Sequence, residues 1–154
     1  MTKYSRYSHP ARREGASDLD SQIAHHVARL SELSRRVIHA AEQLAATQGY
    51  PEVGVGHLLL IMVQEARSPT SQWLCDSGLN EDRLRAGLAQ GDARLLVSID
   101  HTLGQVNDLA TRVGSHYIGT EHLLLSLLAD PAGSTALAAY GAAVAVLRHR
   151  LKAT

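Results

Sequence analysis

The sequence repeats itself, and that limits the possible folds more than any other feature. Displaced by 65 residues, LAATQGYPEVGVGHLLL (44–60) lies over LATRVGSHYIGTEHLLL (109–125). Leu44, Ala45, Gly49, Gly54, His57 and Leu58 to Leu60 recur as Leu109, Ala110, Gly114, Gly119, His122 and Leu123 to Leu125, with Val53 facing Ile118. At an offset of 63, Gly78, Leu84 and Leu88 meet Gly141, Leu147 and Leu151. A tandem duplication therefore organises the chain, and the fold has to be solved twice by one pattern.

The pattern is helical. In the first copy Leu33, Val37, Ile38, Ala41, Leu44 and Ala45 mark one face of a helix over about 32–48, echoed by Ile99, Leu103, Val106, Leu109 and Ala110 over about 98–113. Gly49 and Gly114 stand where a left-handed C-terminal cap belongs. A nearly all-apolar helix should follow from near residue 56 or 121, its Leu run forming the heart of each unit. Two shorter helices are expected to close each copy, started by Thr70 and Asn80 in the first and by Ser134 in the second, with Gly78 and Gly141 between them. The expected fold is all-α: two four-helix repeats related by a pseudo-twofold, over 31–92 and 93–154, packed through their Leu-rich helices. Gly91 to Ala93 make a linker too short for separate domains.

Ahead of the repeats, Leu19, Ile23, Val27 and Leu30 recur at helical spacing, which predicts an extra amphipathic helix over 18–30. Such a helix would cover a groove or mediate dimerisation. Residues 1–17 lack apolar periodicity and are expected to form a flexible basic tail with Lys3, Arg6, Arg12 and Arg13.

Composition removes several function classes. Fifteen Lys and Arg balance fifteen Asp and Glu, so no global field gathers nucleic acid or anionic lipid. The absence of Phe, with one Trp and five Tyr, disfavours a sandwich or barrel. The lone Cys75 forms no internal disulfide, which fits a reducing compartment. The longest apolar run, Ala136 to Leu147, is too short to span a bilayer, and the first residues make no secretory signal. A cytoplasmic location is expected.

The string HYIGTEHLLLSLL (116–128) resembles the signature of the Clp amino-terminal domain, the double-repeat module at the front of ClpC and ClpA type unfoldases. LSELSRRVIHAAEQLA (30–45) is similar to that family's opening helix, with Ser31 at its capping position. The likeness covers roughly residues 30–152. It implies a module that captures substrates and adaptors for a Clp ATPase and, in several ClpC proteins, recognises phosphorylated arginine. No G-x-x-x-x-G-K-[ST] string occurs, so the resemblance brings a receptor without a motor. Two roles follow from it: an adaptor or receptor that modulates a Clp protease, or a decoy that sequesters peptides or antibiotics aimed at the ATPase's own domain. Neither requires catalysis or a cofactor.

The residues suggest one polar site, at Gly119, Thr120 and Glu121. Thr120 has the oxygen to cap the following helix, and Glu121 falls in its first turn, its carboxylate expected to project from the helix end. A carboxylate there suits a guanidinium fork, and the free N–H groups suit a phosphate. The resemblance places the guanidinium contact at Glu121. The alternative is that both residues only cap the helix. The first copy has Val55 and Gly56 instead, a degenerate equivalent without cap oxygen or carboxylate. Hence one ligand is expected where a two-site relative would hold two. His57 and His122 precede the Leu runs and read as structural links between long and buried helices rather than metal ligands, since the spacing from His116 to His122 does not share a helix face. His25 and His26 read as surface residues, and Trp73 and Cys75 as core or groove edge.

Overall fold

The computed structural model describes residues 29–152, so the expected tail over 1–17, nearly all of the expected helix over 18–30, and His25 and His26 lie outside the described residues. The first copy holds α1 (Glu32–Thr47), α2 (Val55–Gln64), α3 (Pro69–Asp76) and α4 (Glu81–Ala89). A 3-10 turn (Ala93–Leu95) leads to the second, with α5 (Asp100–Arg112), α6 (Thr120–Ala129), α7 (Pro131–Ala139) and α8 (Val144–Lys152). The all-α, two-repeat fold is as expected.

Local chemistry sets the helix limits. Ser31 caps α1 by accepting the Ser34 N–H at 3.1 Å, and Glu32 follows in the first turn, where the macrodipole favours it. Both long helices end at a glycine in the left-handed region, Gly49 at φ +82° and Gly114 at +76°. Beyond each, the Tyr50 N–H returns to the Ala45 carbonyl and the Ser115 N–H to Ala110, both at 2.9 Å, closing a Schellman motif.

Two helix starts differ from the expectation. Ser68, not Thr70, caps α3, accepting from the Thr70 N–H at 3.2 Å, and Asp130, not Ser134, caps α7 through the Ala132 N–H at 3.2 Å. In each case a proline follows the cap as the first helical residue, where its missing N–H is not needed. Ser134 lies inside α7 and donates its hydroxyl to the Leu128 carbonyl at 2.6 Å. Asn80 does cap α4, accepting from the Arg83 N–H at 3.0 Å.

The core is one continuous cluster in which Leu58, Leu59, Leu123, Leu124 and Leu127 have no exposed surface. The halves meet crosswise: each Leu-rich helix packs on the third helix of the other repeat, α2 on α7 and α6 on α3, rather than chiefly on its own counterpart. The repeats thus pack through their Leu-rich helices, each set against the third helix of the other copy. Near the centre the backbone exchanges two equivalent hydrogen bonds, Asn80 N–H to the Tyr140 carbonyl at 2.9 Å and Ala143 N–H to the Ser77 carbonyl at 2.8 Å. Between them lie Gly78 and Gly141, at φ +99° and +101°. A Cβ on Gly78 would sit 2.7 Å from the Gly141 carbonyl oxygen, and one on Gly141 2.6 Å from that of Gly78. Only glycine fits on this local pseudo-axis, by backbone angle and by space.

The linker is pinned rather than free. Asp92 receives Arg94 through two guanidinium contacts at 3.2 and 2.9 Å, and the Tyr140 hydroxyl donates to Asp92 Oδ2. Arg94, then Tyr140, hold the Asp92 carboxyl far below the usual carboxylate range, and Asp92 in turn raises the Tyr140 phenol.

Candidate functional site: two helix ends with different neighbours

The two Leu-rich helices begin alike. Each has a glycine at the N-cap, Gly54 and Gly119, and a histidine three residues on whose Nδ1 accepts that glycine's N–H at 2.9 Å. The imidazole plays the part that Glu or Gln plays in a capping box. Thr120 is thus the first residue of α6 and not its cap, which corrects the expectation. Its hydroxyl instead meets the Ser68 hydroxyl at 2.7 Å, and Ser68 meets Thr70 at 2.7 Å, a buried trio joining the start of α6 to the start of α3.

With Nδ1 accepting, each neutral imidazole carries its proton on Nε2. In His57, which is fully buried, Nε2 lies 3.1 Å from Gln48 Oε1 at the end of α1 and packs beside the Tyr50 ring, so it links long and buried helices. Burial lowers its pKa to about 4. His122 has Val113 at the position matching Gln48, and its Nε2 has no such partner among the described residues. Among the described residues no three His, Cys, Asp or Glu side chains gather as a metal site, and no helix is long and apolar enough to cross a membrane. His116 and Cys75 are exposed, and Trp73 is partly buried against the core.

Beyond the caps the two ends diverge. At α2 the linker closes the end: the Val55 N–H donates to the Val97 carbonyl at 2.8 Å and the Ile99 N–H to Val53 at 3.1 Å. Leu95 is fully buried, and a Cβ on Gly56 would fall 2.6 Å from Leu95 Cβ and 2.9 Å from Leu88 Cδ2. Gly56 is small because the linker leaves no room.

At α6, Ile118 is held by the entry to α1, donating to the Arg29 carbonyl at 2.7 Å and accepting from the Ser31 N–H at 2.9 Å. Among the described residues, the N–H groups of Thr120 and Glu121 have no acceptor. The Glu121 side chain is 38 % exposed, and its carboxylate curls back over Gly119, where a Cβ would fall 2.6 Å from Oε2 and 2.7 Å from Cδ. It therefore lies along the helix end rather than projecting away from it. Gly119 provides the space it rests in, and the partial positive charge of the helix start favours its position.

A chain that builds one helical unit twice, with Gly-x-x-His opening each buried helix, has identifiable relatives. The Clp repeat (R) N-terminal domain pattern matches residues 29–99 and again 94–154. The chain is 26 % identical over 117 residues to the negative regulator of genetic competence ClpC/MecB of Bacillus subtilis (strain 168), a match covering 70 % of this chain and 14 % of that protein. It is 25 % identical over 117 residues to the chaperone protein ClpB of Oceanobacillus iheyensis, with the same coverage. The match therefore spans about one seventh of these relatives' length. On the two consecutive matches and the duplicated fold, the chain belongs to the Clp repeat N-terminal domain family.

Proposed function

We propose that the chain is a noncatalytic recognition module of a Clp system, taking protein or peptide ligands that carry a phosphoarginine-like group at the start of α6. In this reading the Glu121 carboxylate turns from Gly119 to receive the guanidinium in a bidentate fork, and the unbonded N–H groups of Thr120 and Glu121 receive the phosphate. Its partners are a Clp ATPase or protease, its adaptors and their substrates. One observation carries the reading. The linker fills the helix end in the first repeat, whereas the equivalent end in the second keeps a carboxylate and two N–H groups without acceptors among the described residues. One ligand per chain follows.

Calorimetric titration with free phosphoarginine and with a phosphoarginine peptide tests it. A stoichiometry of one is expected, with Glu121→Ala lowering affinity at least about tenfold, roughly 1.4 kcal/mol. Two equivalent sites, or an unchanged affinity in Glu121→Ala, would overturn it. Affinity capture with Glu121→Ala as control bait separates the roles: a Clp ATPase recovered by both baits supports an adaptor, and modified clients lost with the variant support a receptor or sink.

A further inference from the structure

The two capping histidines are built alike and finished differently. In the first repeat the Nε2 hydrogen of His57 is taken by the Gln48 carboxamide at 3.1 Å, and the Tyr50 ring lies 5.4 Å from the imidazole centroid. Both side chains come from the turn that follows α1, so the chain supplies acceptor and cover itself. The matching positions after α5 are Val113 and Ser115. A valine at the place of Gln48 offers no acceptor and is shorter by the whole carboxamide.

His122 is left with a directed donor. Its Nδ1 is committed to the Gly119 N–H at 2.9 Å, so its proton is on Nε2, which has no hydrogen-bond partner among the described residues. The side chain is 8 % exposed, and Nε2 is not sealed from solvent. An imidazole more than nine-tenths buried and fixed through one nitrogen presents the other as a donor of set direction. The surroundings are apolar where the first repeat is polar: Val113 and Tyr117 are 58 % and 60 % exposed and stand at the positions of Gln48 and Glu52. The acceptor that suits this nitrogen is neutral. The Glu121 carboxylate already lies 3.8 Å from Nδ1 of the same ring, and a second anion beside it would be repelled.

We propose that the second repeat takes from a partner peptide what the first repeat supplies from its own chain: a glutamine side chain whose carboxamide oxygen accepts from His122 Nε2, with an apolar neighbour of that glutamine lying on Val113 and Tyr117. Gln48 on His57 is the template for the contact. The site uses the edge of the imidazole and not the Glu121 carboxylate, so it does not rest on the phosphoarginine reading.

The test is an NMR titration of the full chain with N-acetyl-L-glutaminyl-L-leucine amide, following backbone amides and the histidine ring nitrogens. Two controls replace one feature each: norleucine for the glutamine, and glycine for the leucine. Saturable shifts are expected at residues 113–117 and at His122 Nε2, with the His57 ring unmoved and both controls weaker by about tenfold. Val113→Gln, at an exposed side chain, gives the second repeat its own carboxamide and should weaken the peptide by about tenfold or more while moving the His122 Nε2 resonance toward that of His57. Absence of saturable shifts, equal binding of the norleucine control, or full affinity in Val113→Gln would overturn the proposal.

Discussion

The start of α2 and the start of α6 share a glycine cap, a histidine acceptor and a Leu run, yet one is closed by backbone and the other by a charged side chain. At α2, Val97 accepts the first helical N–H and Leu95 takes the space that a side chain at position 56 would need. At α6, Glu121 lies over Gly119 and the hydroxyl of Ser68 reaches Thr120 from the other repeat. A duplicated motif can keep its internal geometry and still diverge in use, because use depends on what the rest of the chain lays against it.

The largest expected effect comes from forcing the two ends to match. Gly56→Glu puts a carboxylate where Leu95 and Leu88 already pack, and should cost about 3 kcal/mol or more, read from the urea midpoint. Near-native stability together with a second phosphoarginine site would show that the linker is displaced easily, and the contrast would collapse. Slightly smaller is the acid response of His57. Its unfolded-state pKa is 6.5 and its folded-state value about 4, so unfolded chains bind the proton first as pH falls. Its contribution is complete above pH 6.5 and erodes down to about 4, in total on the order of 3 kcal/mol. Denaturation series across that window should show the slope, and His57→Gln, which keeps an acceptor without a titrating ring, should flatten it.

Thr120→Val removes the hydroxyl contact between repeats and should cost about 1 kcal/mol in chemical denaturation. The smallest stability effect belongs to Glu121→Gln, about 0.5 kcal/mol from the lost charge at the helix start. That variant should nonetheless show the largest drop in ligand affinity of the four, and a larger effect on folding than on binding would reduce Glu121 to a capping residue.

Much of this was legible locally. The Leu runs, the helical stripes and the left-handed glycines follow from spacing within one turn or one helix, and appear twice. The starts of α3 and α7 were misplaced because Thr70 and Ser134 are good capping residues by type, while Ser68-Pro69 and Asp130-Pro131 carry the stronger signal. Thr120 was misread as a cap for the same reason; the Gly-x-x-His spacing, present in both repeats, was the available clue. Crosswise packing and the Leu95 plug were not readable, since both depend on residues distant in sequence.

The position of Leu95 and Ile99 has a practical consequence for dissecting the molecule. Both belong to the stretch leading into the second copy, yet their backbone and side chains finish the first, around Val53, Gly56 and Gly87. A fragment ending at residue 92 would expose a hole in its own interior, whereas one ending at 99 would carry its stopper along. The physical seam therefore overlaps the written one, and isolated halves made at different cut points should differ in solubility for that reason alone.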